Sequence, residues 1–151
     1  KRDRKQIAKD VREMRDRIEK EKGTSDIWDI KNVAGGLIDL EFIAQFLQLV
    51  MAHEHPGILN QNTSAALQNL AEIGALSEEE AGVLIPAAAL YHNLTQILRL
   101  CLEKPFDREQ ASPGLINLLA RAAGEQDFPA LEDRLARTLS DVRIIFDRLI
   151  A

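Results

Sequence analysis

The chain has 151 residues, of which 46% are hydrophobic and 5% are aromatic, and its formal net charge is −5. This length can bury the core of one domain, and apolar residues that are mostly Leu, Ile and Ala favour packed helices over a β-sandwich. The negative charge argues against non-specific binding to nucleic acid, and no apolar run is long enough to predict a membrane span.

The chain begins at Lys1, and the mostly basic positions 1–5 are interpreted as part of a solvated helix face. The first predicted helix covers about residues 5–22. Its narrow apolar stripe consists of Ile7, Val11, Met14 and Ile18. Because its other faces are charged, we expect a peripheral helix that packs against protein missing from this chain. A start without methionine inside such a helix also indicates a fragment of a longer polypeptide.

Residues 23–34 are predicted to form a loop that contains the only tryptophan, Trp28. A tryptophan in a polar loop is typical of an anchor that fixes the loop to the core, and a contact to a neighbouring domain is the alternative. The second predicted helix follows at residues 36–53. It is apolar over most of its circumference, so we expect it at the centre of the fold.

Asp39 lies on the apolar arc of this second helix, about 160° around the axis from Glu41. The other members of the arc are Ile43, Phe46, Leu47 and Val50. The opposite polar stripe consists of Glu41, Gln45 and Gln48. Two interpretations of the inward carboxylate are open. Either a backbone N–H or a cation of this chain satisfies it, or it faces a partner or a site outside the chain.

Four further helices are predicted from caps and apolar spacing, at residues 63–73, 77–103, 112–124 and from 127 onward. Ser77 with Glu80 forms a capping box, and Ser112 and Asp127 are N-cap candidates. Pro86 is expected to kink or split the long fourth helix because it lacks a backbone N–H. No strand pattern occurs. We therefore predict an all-α fold, a single helical domain of about six helices over residues 1–151.

The only cysteine is Cys101, which excludes an internal disulfide and indicates a reducing, cytoplasmic location. It lies in an apolar helical run, so we predict a buried and unreactive thiol. His53 and His55 straddle a helix end before a proline, where two rings do not reliably share a face. We expect no metal site there.

Two remaining patterns carry weak chemical signals. A polar face of the fourth helix, formed by His92, Gln96 and Arg99, is interpreted as solvated or partner-facing. Gly35-Gly36 precedes a helix N-terminus, but without a Walker lysine and hydroxyl it is a weak phosphate signal. The residues on their own therefore predict no catalytic site and no metal site.

The run at residues 35–49 reads Gly-Gly-Leu-Ile-Asp-Leu-Glu-Phe-Ile-Ala-Gln-Phe-Leu-Gln-Leu. It resembles a characteristic segment of the bacterial glutamine synthetase adenylyltransferases, in which Gly-Gly is followed by a variable pair, Ile/Leu-Glu-Phe-Ile, Gln and a Tyr/Phe-Leu-x-Leu tail. Shorter matches in the same order extend the similarity over most of the chain, among them His55-Pro56, Asn62-Thr63 and Leu90-Tyr91-His92.

The resemblance implies an architecture and an activity. In that family two nucleotidyltransferase domains are each followed by a helical domain; one half removes AMP from glutamine synthetase, and the other transfers it from ATP, with Mg²⁺, to a tyrosine. Ile38-Asp39 stand where the first half has Arg-Glu, so the chain resembles the C-terminal helical domain. The paired aspartates of the Gly-Ser-Asp-x-Asp motif are absent from this sequence, so the fragment is expected to be inactive alone and to bind neither ATP nor Mg²⁺.

The resemblance also implies partners: the upstream nucleotidyltransferase domain of the same chain, glutamine synthetase and, as a further candidate, the PII signalling protein. Nucleic acid and membrane are not expected. We expect residues 35–45 to dock on the nucleotidyltransferase domain, with Asp39, Glu41 and Gln45 as candidates that support its ATP–Mg²⁺ site. The alternative is a freestanding, non-enzymatic helical module for protein interaction or regulation.

Overall fold

Six α-helices make up the computed structural model, which describes residues 3–151. They are α1 Arg4–Lys22, α2 Leu37–Met51, α3 Thr63–Glu72, α4 Glu78–Cys101, α5 Pro113–Ala122 and α6 Phe128–Leu149, with a short 3-10 turn at Pro56–Ile58 after α2. No strand occurs in this range, so the all-α prediction is confirmed. Of the basic positions 1–5, Lys1 and Arg2 lie outside the described residues.

The helix starts are fixed by the side chains expected from the sequence. Ser77 and Glu80 each bond the other's backbone N–H, at 3.0 and 2.9 Å, and so form the predicted capping box. Ser112 and Asp127 each accept a hydrogen bond from the backbone N–H three residues on. Caps of this kind satisfy N–H groups that the helix cannot pair. They place the start of three of the helices.

Helix α4 is continuous from Glu78 to Cys101, so of the two outcomes expected at Pro86, a kink or a split, the split is wrong. The Pro86 side chain is exposed, and the helix tolerates its missing N–H on the solvent side. Cys101 is the last residue of α4, and its thiol is exposed. The prediction of a buried thiol is therefore wrong. The last turn of α4 extends beyond the core, and the neighbouring Leu100 is also exposed.

Helix α2 is the centre of the bundle, as predicted, and contacts α1, α3, α4 and α6. Four of its apolar side chains are buried almost completely: Leu40, Ile43, Phe46 and Leu47. They pack in one core with the inner faces of α4 and α6, which include Tyr91, Leu94, Leu135, Val142 and Phe146. No helix in the described range combines the length and apolar character that a bilayer span requires.

Helix α1 packs on α2 within the chain, although the sequence predicted that its partner is missing. Ile7 and Ala8 are buried, but Met14 is 51% exposed and Arg15 is completely buried. The face of α1 that packs on α2 therefore differs from the predicted apolar stripe. It includes the buried Arg15 and leaves Met14 largely exposed.

The loop between α1 and α2 is anchored by Trp28, as predicted. Its ring stacks on Phe128 with a centroid separation of 5.4 Å, and Phe106 lies at 4.8 Å on a tilted plane. The indole Nε1 donates a hydrogen bond of 2.8 Å to Glu132. These contacts fix the loop to the start of α6 and so hold the residues that precede α2.

We expect Trp28→Ala to lower the free energy of unfolding by about 3–5 kcal/mol, because a large buried aromatic is lost. Trp28→Phe keeps a stacked ring but loses the indole hydrogen bond and part of the buried ring area, so its cost is expected to be smaller, about 1–2 kcal/mol. Urea unfolding followed by far-UV circular dichroism measures both. Equal losses in the two variants would contradict the anchoring role of the stacked ring.

Candidate functional site

The Gly35-Gly36 pair lies where the loop enters α2, wedged between two other parts of the backbone. Gly35 has φ of +81°, and a Cβ on it would overlap the backbone oxygen of Leu139 in α6. A Cβ on Gly36 would overlap the backbone oxygen of Ile30 in the loop. Both glycines are therefore required by close backbone approach. A packing role, and not an anion-binding role, explains this part of the motif.

Asp39 is completely buried in the first turn of α2 and receives three hydrogen bonds. Arg15 Nε donates to Oδ1, whereas the Gly35 N–H and Arg143 Nη1 donate to Oδ2 at 2.6 and 2.9 Å. The interpretation that a backbone N–H and a cation of this chain satisfy the carboxylate is confirmed. The expectation that Asp39 needs a partner outside the chain is wrong, because its cations come from α1 and α6.

A wider polar network surrounds this carboxylate. One of the two terminal nitrogens of Arg15, Nη2, donates a hydrogen bond to the backbone oxygen of Asn32 at 3.3 Å. Arg143 also lies 3.5 Å from Glu19 of α1 and 3.4 Å from Asp147 of α6. Burial alone would lower the pKa of Arg143, but the hydrogen bond to Asp39 and the surrounding carboxylates raise its pKa overall. The guanidinium therefore stays charged in this position.

Tyr91 connects α4 to the same segment. Its hydroxyl donates a hydrogen bond of 2.7 Å to the backbone oxygen of Gly35. Burial of the phenol, together with the negative charges of Asp39 and Asp141, raises the pKa of Tyr91 well above its usual range. Tyr91 thus completes a ring of contacts in which α1, α4 and α6 all hold the start of α2.

Glu41 and Gln45 point the other way, into an open groove of about 670 Å³ between α2 and the segment before α3. Both side chains are exposed. Two leucines share this groove, Leu49 at 48% exposed and Leu59 at 62% exposed. Partial desolvation raises the pKa of Glu41, and Lys31 opposes the shift. The groove therefore combines two exposed leucines with one acidic side chain among the described residues that line it.

Gln48 departs from the predicted polar stripe, because its side chain is buried. Its Nε2 donates to the Ala44 oxygen at 3.1 Å, and its Oε1 accepts from the Asn60 N–H at 2.6 Å. The amide thus pins the loop after α2 against the helix. It shapes one wall of the groove and is not available to a partner.

A second concavity of about 380 Å³ adjoins the groove, and Glu41, Gln61 and Thr63 line both. The predicted polar face of α4 forms its far wall, with His92, Gln96 and Arg99. All three side chains are exposed, and His92 and Gln96 lie within hydrogen-bond distance at 3.2 Å. Within residues 3–151 no group of three or more His, Cys, Asp or Glu side chains is arranged to hold a metal ion.

Arg15 and Arg143, whose charges explain the buried Asp39, were not among the residues predicted from the sequence. A signal for Arg15 was present, because it falls close to Ala8 and Val11 on the helical projection of α1. An arginine on the docking face of one helix and an aspartate on the buried arc of another are complementary. Arg143 has no such local signal, since it lies 104 residues from Asp39 in the chain.

Comparison with known proteins identifies the relatives of this chain. A family model described as GlnD PII-uridylyltransferase matches residues 5–150. Proteins named bifunctional glutamine synthetase adenylyltransferase/adenylyl-removing enzyme are similar: one from Rhodopseudomonas palustris strain TIE-1 is 53% identical over 95% of this chain. Those from Bradyrhizobium diazoefficiens and Xanthobacter autotrophicus are 50% and 44% identical, over 95% and 99% of the chain. The chain spans only 14% or 15% of the length of these relatives.

We expect Asp39→Asn to destabilise the chain by about 3 kcal/mol or more, because the buried Arg15 and the partly buried Arg143 lose their counter-charge and an amide N–H replaces an acceptor. Asp133→Asn, an exposed change of the same type on α6, should stay within about 0.5 kcal/mol of the parent. Urea midpoints for the two variants give the comparison. A loss for Asp39→Asn no larger than that of the control would show that the network contributes nothing to stability.

We also expect the folded chain to lose stability as the pH rises above about 10, the pKa of a free phenol. The raised pKa means that folding favours the neutral phenol, so its contribution is complete below that pH and is lost above it. Tyr91 is the only tyrosine, so phenolate absorbance reports on it directly. The absorbance should titrate at higher pH in the folded chain than in urea. A Tyr91→Phe variant should lose less stability over the same alkaline range, and identical titrations in the folded and unfolded chain would refute the assignment.

Proposed function

We propose a function on the following basis: the chain belongs to the family described as GlnD PII-uridylyltransferase, and its relatives are named for glutamine synthetase adenylylation. The resemblance drawn from residues 35–49 is thereby confirmed. The family description names uridylyl transfer, whereas the relatives at up to 53% identity are adenylyltransferases. The proposal follows the relatives because they are individual proteins that are 44–53% identical to this chain.

The chain then acts as the helical domain that follows a nucleotidyltransferase domain in an enzyme that adenylylates and deadenylylates glutamine synthetase. The catalytic aspartates, ATP and Mg²⁺ belong to that neighbouring domain in this proposal, and the protein substrate is glutamine synthetase. PII, which the family description names, is a second candidate partner. A cytoplasmic location is consistent with a single exposed thiol that takes part in no disulfide.

The observation that carries the docking role is the groove with Glu41 and Gln45 on its wall. Helix α2 is held rigidly on its inner side by the Asp39 network, so its outer side is presented in a fixed orientation. Leu49 and Leu59 offer apolar area to a partner, and among the described residues Glu41 is the only charged group that lines the groove. A nucleotidyltransferase domain with an apolar patch and a basic residue would fit this surface.

Of the three residues first considered as supports of the ATP–Mg²⁺ site, Glu41 and Gln45 are retained in this proposal. Asp39 is not, because it is completely buried and all its contacts are within the chain. Its role is to hold the segment from which the other two project. In this proposal the helical domain supports catalysis by orienting the nucleotidyltransferase domain that docks on α2.

We expect Glu41→Lys and Leu59→Asp, each introduced into the longer enzyme, to lower the rate of glutamine synthetase adenylylation about tenfold, because each disrupts a contact at the centre of the interface. The matched control is Glu72→Lys, which makes the same charge change at an exposed position near the end of α3. Thermal unfolding of each variant verifies that the helical domain remains folded.

An unchanged rate for both groove variants would overturn the docking proposal. It would favour the alternative of an independent interaction module, for which the isolated chain should bind glutamine synthetase or PII without the nucleotidyltransferase domain. Titration of the isolated chain with each protein, followed by calorimetry, distinguishes these outcomes.

A further inference from the structure

We propose that α1 is held on the bundle by an ionic latch and that it leaves and returns as a unit while the other helices stay folded. The latch consists of Arg12, Arg15 and Glu19 on α1, with Asp39, Arg143 and Asp147 as their partners. This inference rests on the contacts within the chain and does not depend on the proposed enzymatic role.

The apolar contribution to α1 docking is small. Of its 19 residues, only Ile7 and Ala8 are buried apolar residues. The only other buried residue is Arg15, and Met14 remains 51% exposed. Helices α4 and α6, by comparison, each bury an apolar face in the core. Since burial of apolar area is the main force that holds helices together, the core holds α1 more weakly than α4 or α6.

Charged contacts take the place of apolar packing around α1. Arg15 is paired with Asp39 in the interior. At the rim, Arg12 Nη1 lies 3.0 Å from Asp147, and Glu19 lies 3.5 Å from Arg143. The two rim pairs join α1 to α6, and the interior pair joins α1 to α2. Exposed pairs of this kind are weak and are screened by salt, so this part of the latch is adjustable.

The buried carboxylate of the latch has charged partners both when α1 is docked and when α1 is released. With α1 docked, two guanidiniums share one buried carboxylate, and Arg15 Nη1 has no hydrogen-bond partner among the described protein atoms. Glu19 and Asp147 at the rim compensate the extra positive charge. With α1 released, Asp39 keeps the Gly35 N–H and Arg143, so a carboxylate and one guanidinium remain paired. Release therefore strands no buried charge.

The latch acts on the segment that carries the groove. Arg143 contacts Asp39 at the base of α2 and Glu19 on α1, so a docked α1 fixes α2 against α6. Release removes one of the donors to Asp39 and loosens the turn from which Glu41 and Gln45 project. A displacement of α1 therefore changes how firmly the outer side of α2 is held in place.

Hydrogen exchange of the 151-residue chain, followed by mass spectrometry, tests the latch. We expect amides in α1 to exchange through local opening, much faster than those in α4. Raising the NaCl concentration from about 0.05 to about 0.5 M should speed α1 exchange about threefold and leave α4 unchanged. Asp147→Asn removes the partner of Arg12 and one partner of Arg143, and it should speed α1 exchange by a similar factor without unfolding the core.

Asp133→Asn is the control, because it removes the same charge from an exposed position of α6 outside the latch. It should leave α1 exchange unchanged. Exchange of α1 at the same rate as α4, or an Asp147→Asn effect spread equally over all helices, would show that α1 opens only with the whole domain. Insensitivity of α1 exchange to both salt and Asp147→Asn would show that the charged pairs do not hold it. Each of these results overturns the proposal.

Discussion

The buried carboxylate of Asp39 is the point on which the arrangement of four helices depends. It lies in the first turn of α2 and forms ion pairs with Arg15 of α1 and Arg143 of α6. The backbone of Gly35, which bonds Asp39 through its N–H, accepts the Tyr91 hydroxyl of α4 through its oxygen. A single anion thus specifies where three neighbours meet the central helix. Such a group gives an orientation that apolar packing alone would leave less defined.

The two acidic residues of α2 have separate tasks because two positions in a helix point to nearly opposite sides. Asp39 faces inward and organises the bundle, whereas Glu41 faces outward with Gln45 into the groove. In the proposed docking role, the rigidity of the inner side keeps the outer side in the orientation that a partner binds. A docking surface on a loosely held helix would lose part of its binding energy to ordering the helix.

Local patterns were sufficient to predict the fold. Ser77, Ser112 and Asp127 were recognisable as caps since each acts on backbone groups three residues away, and the apolar periodicity identified α2 as central. Contacts distant in sequence were not predictable in this way. The partners of Asp39 lie 24 and 104 residues away, so helical projection could show that the carboxylate pointed inward but not what met it. The possible split at Pro86 and the burial of Cys101 were predicted wrongly because both depend on the packing around α4, which puts Pro86 and Cys101 at the surface.

Gly35 and Gly36 have a consequence for what a match at these two positions can show. The pair is required by the space between the α2 entry, Leu139 and Ile30, which is a property of the fold and not of any reaction. Any chain that adopts this packing meets the same steric limit, whatever its neighbouring domains do. Matching glycines in another sequence therefore indicate the same architecture, and a shared activity has to be established at the outward-facing residues.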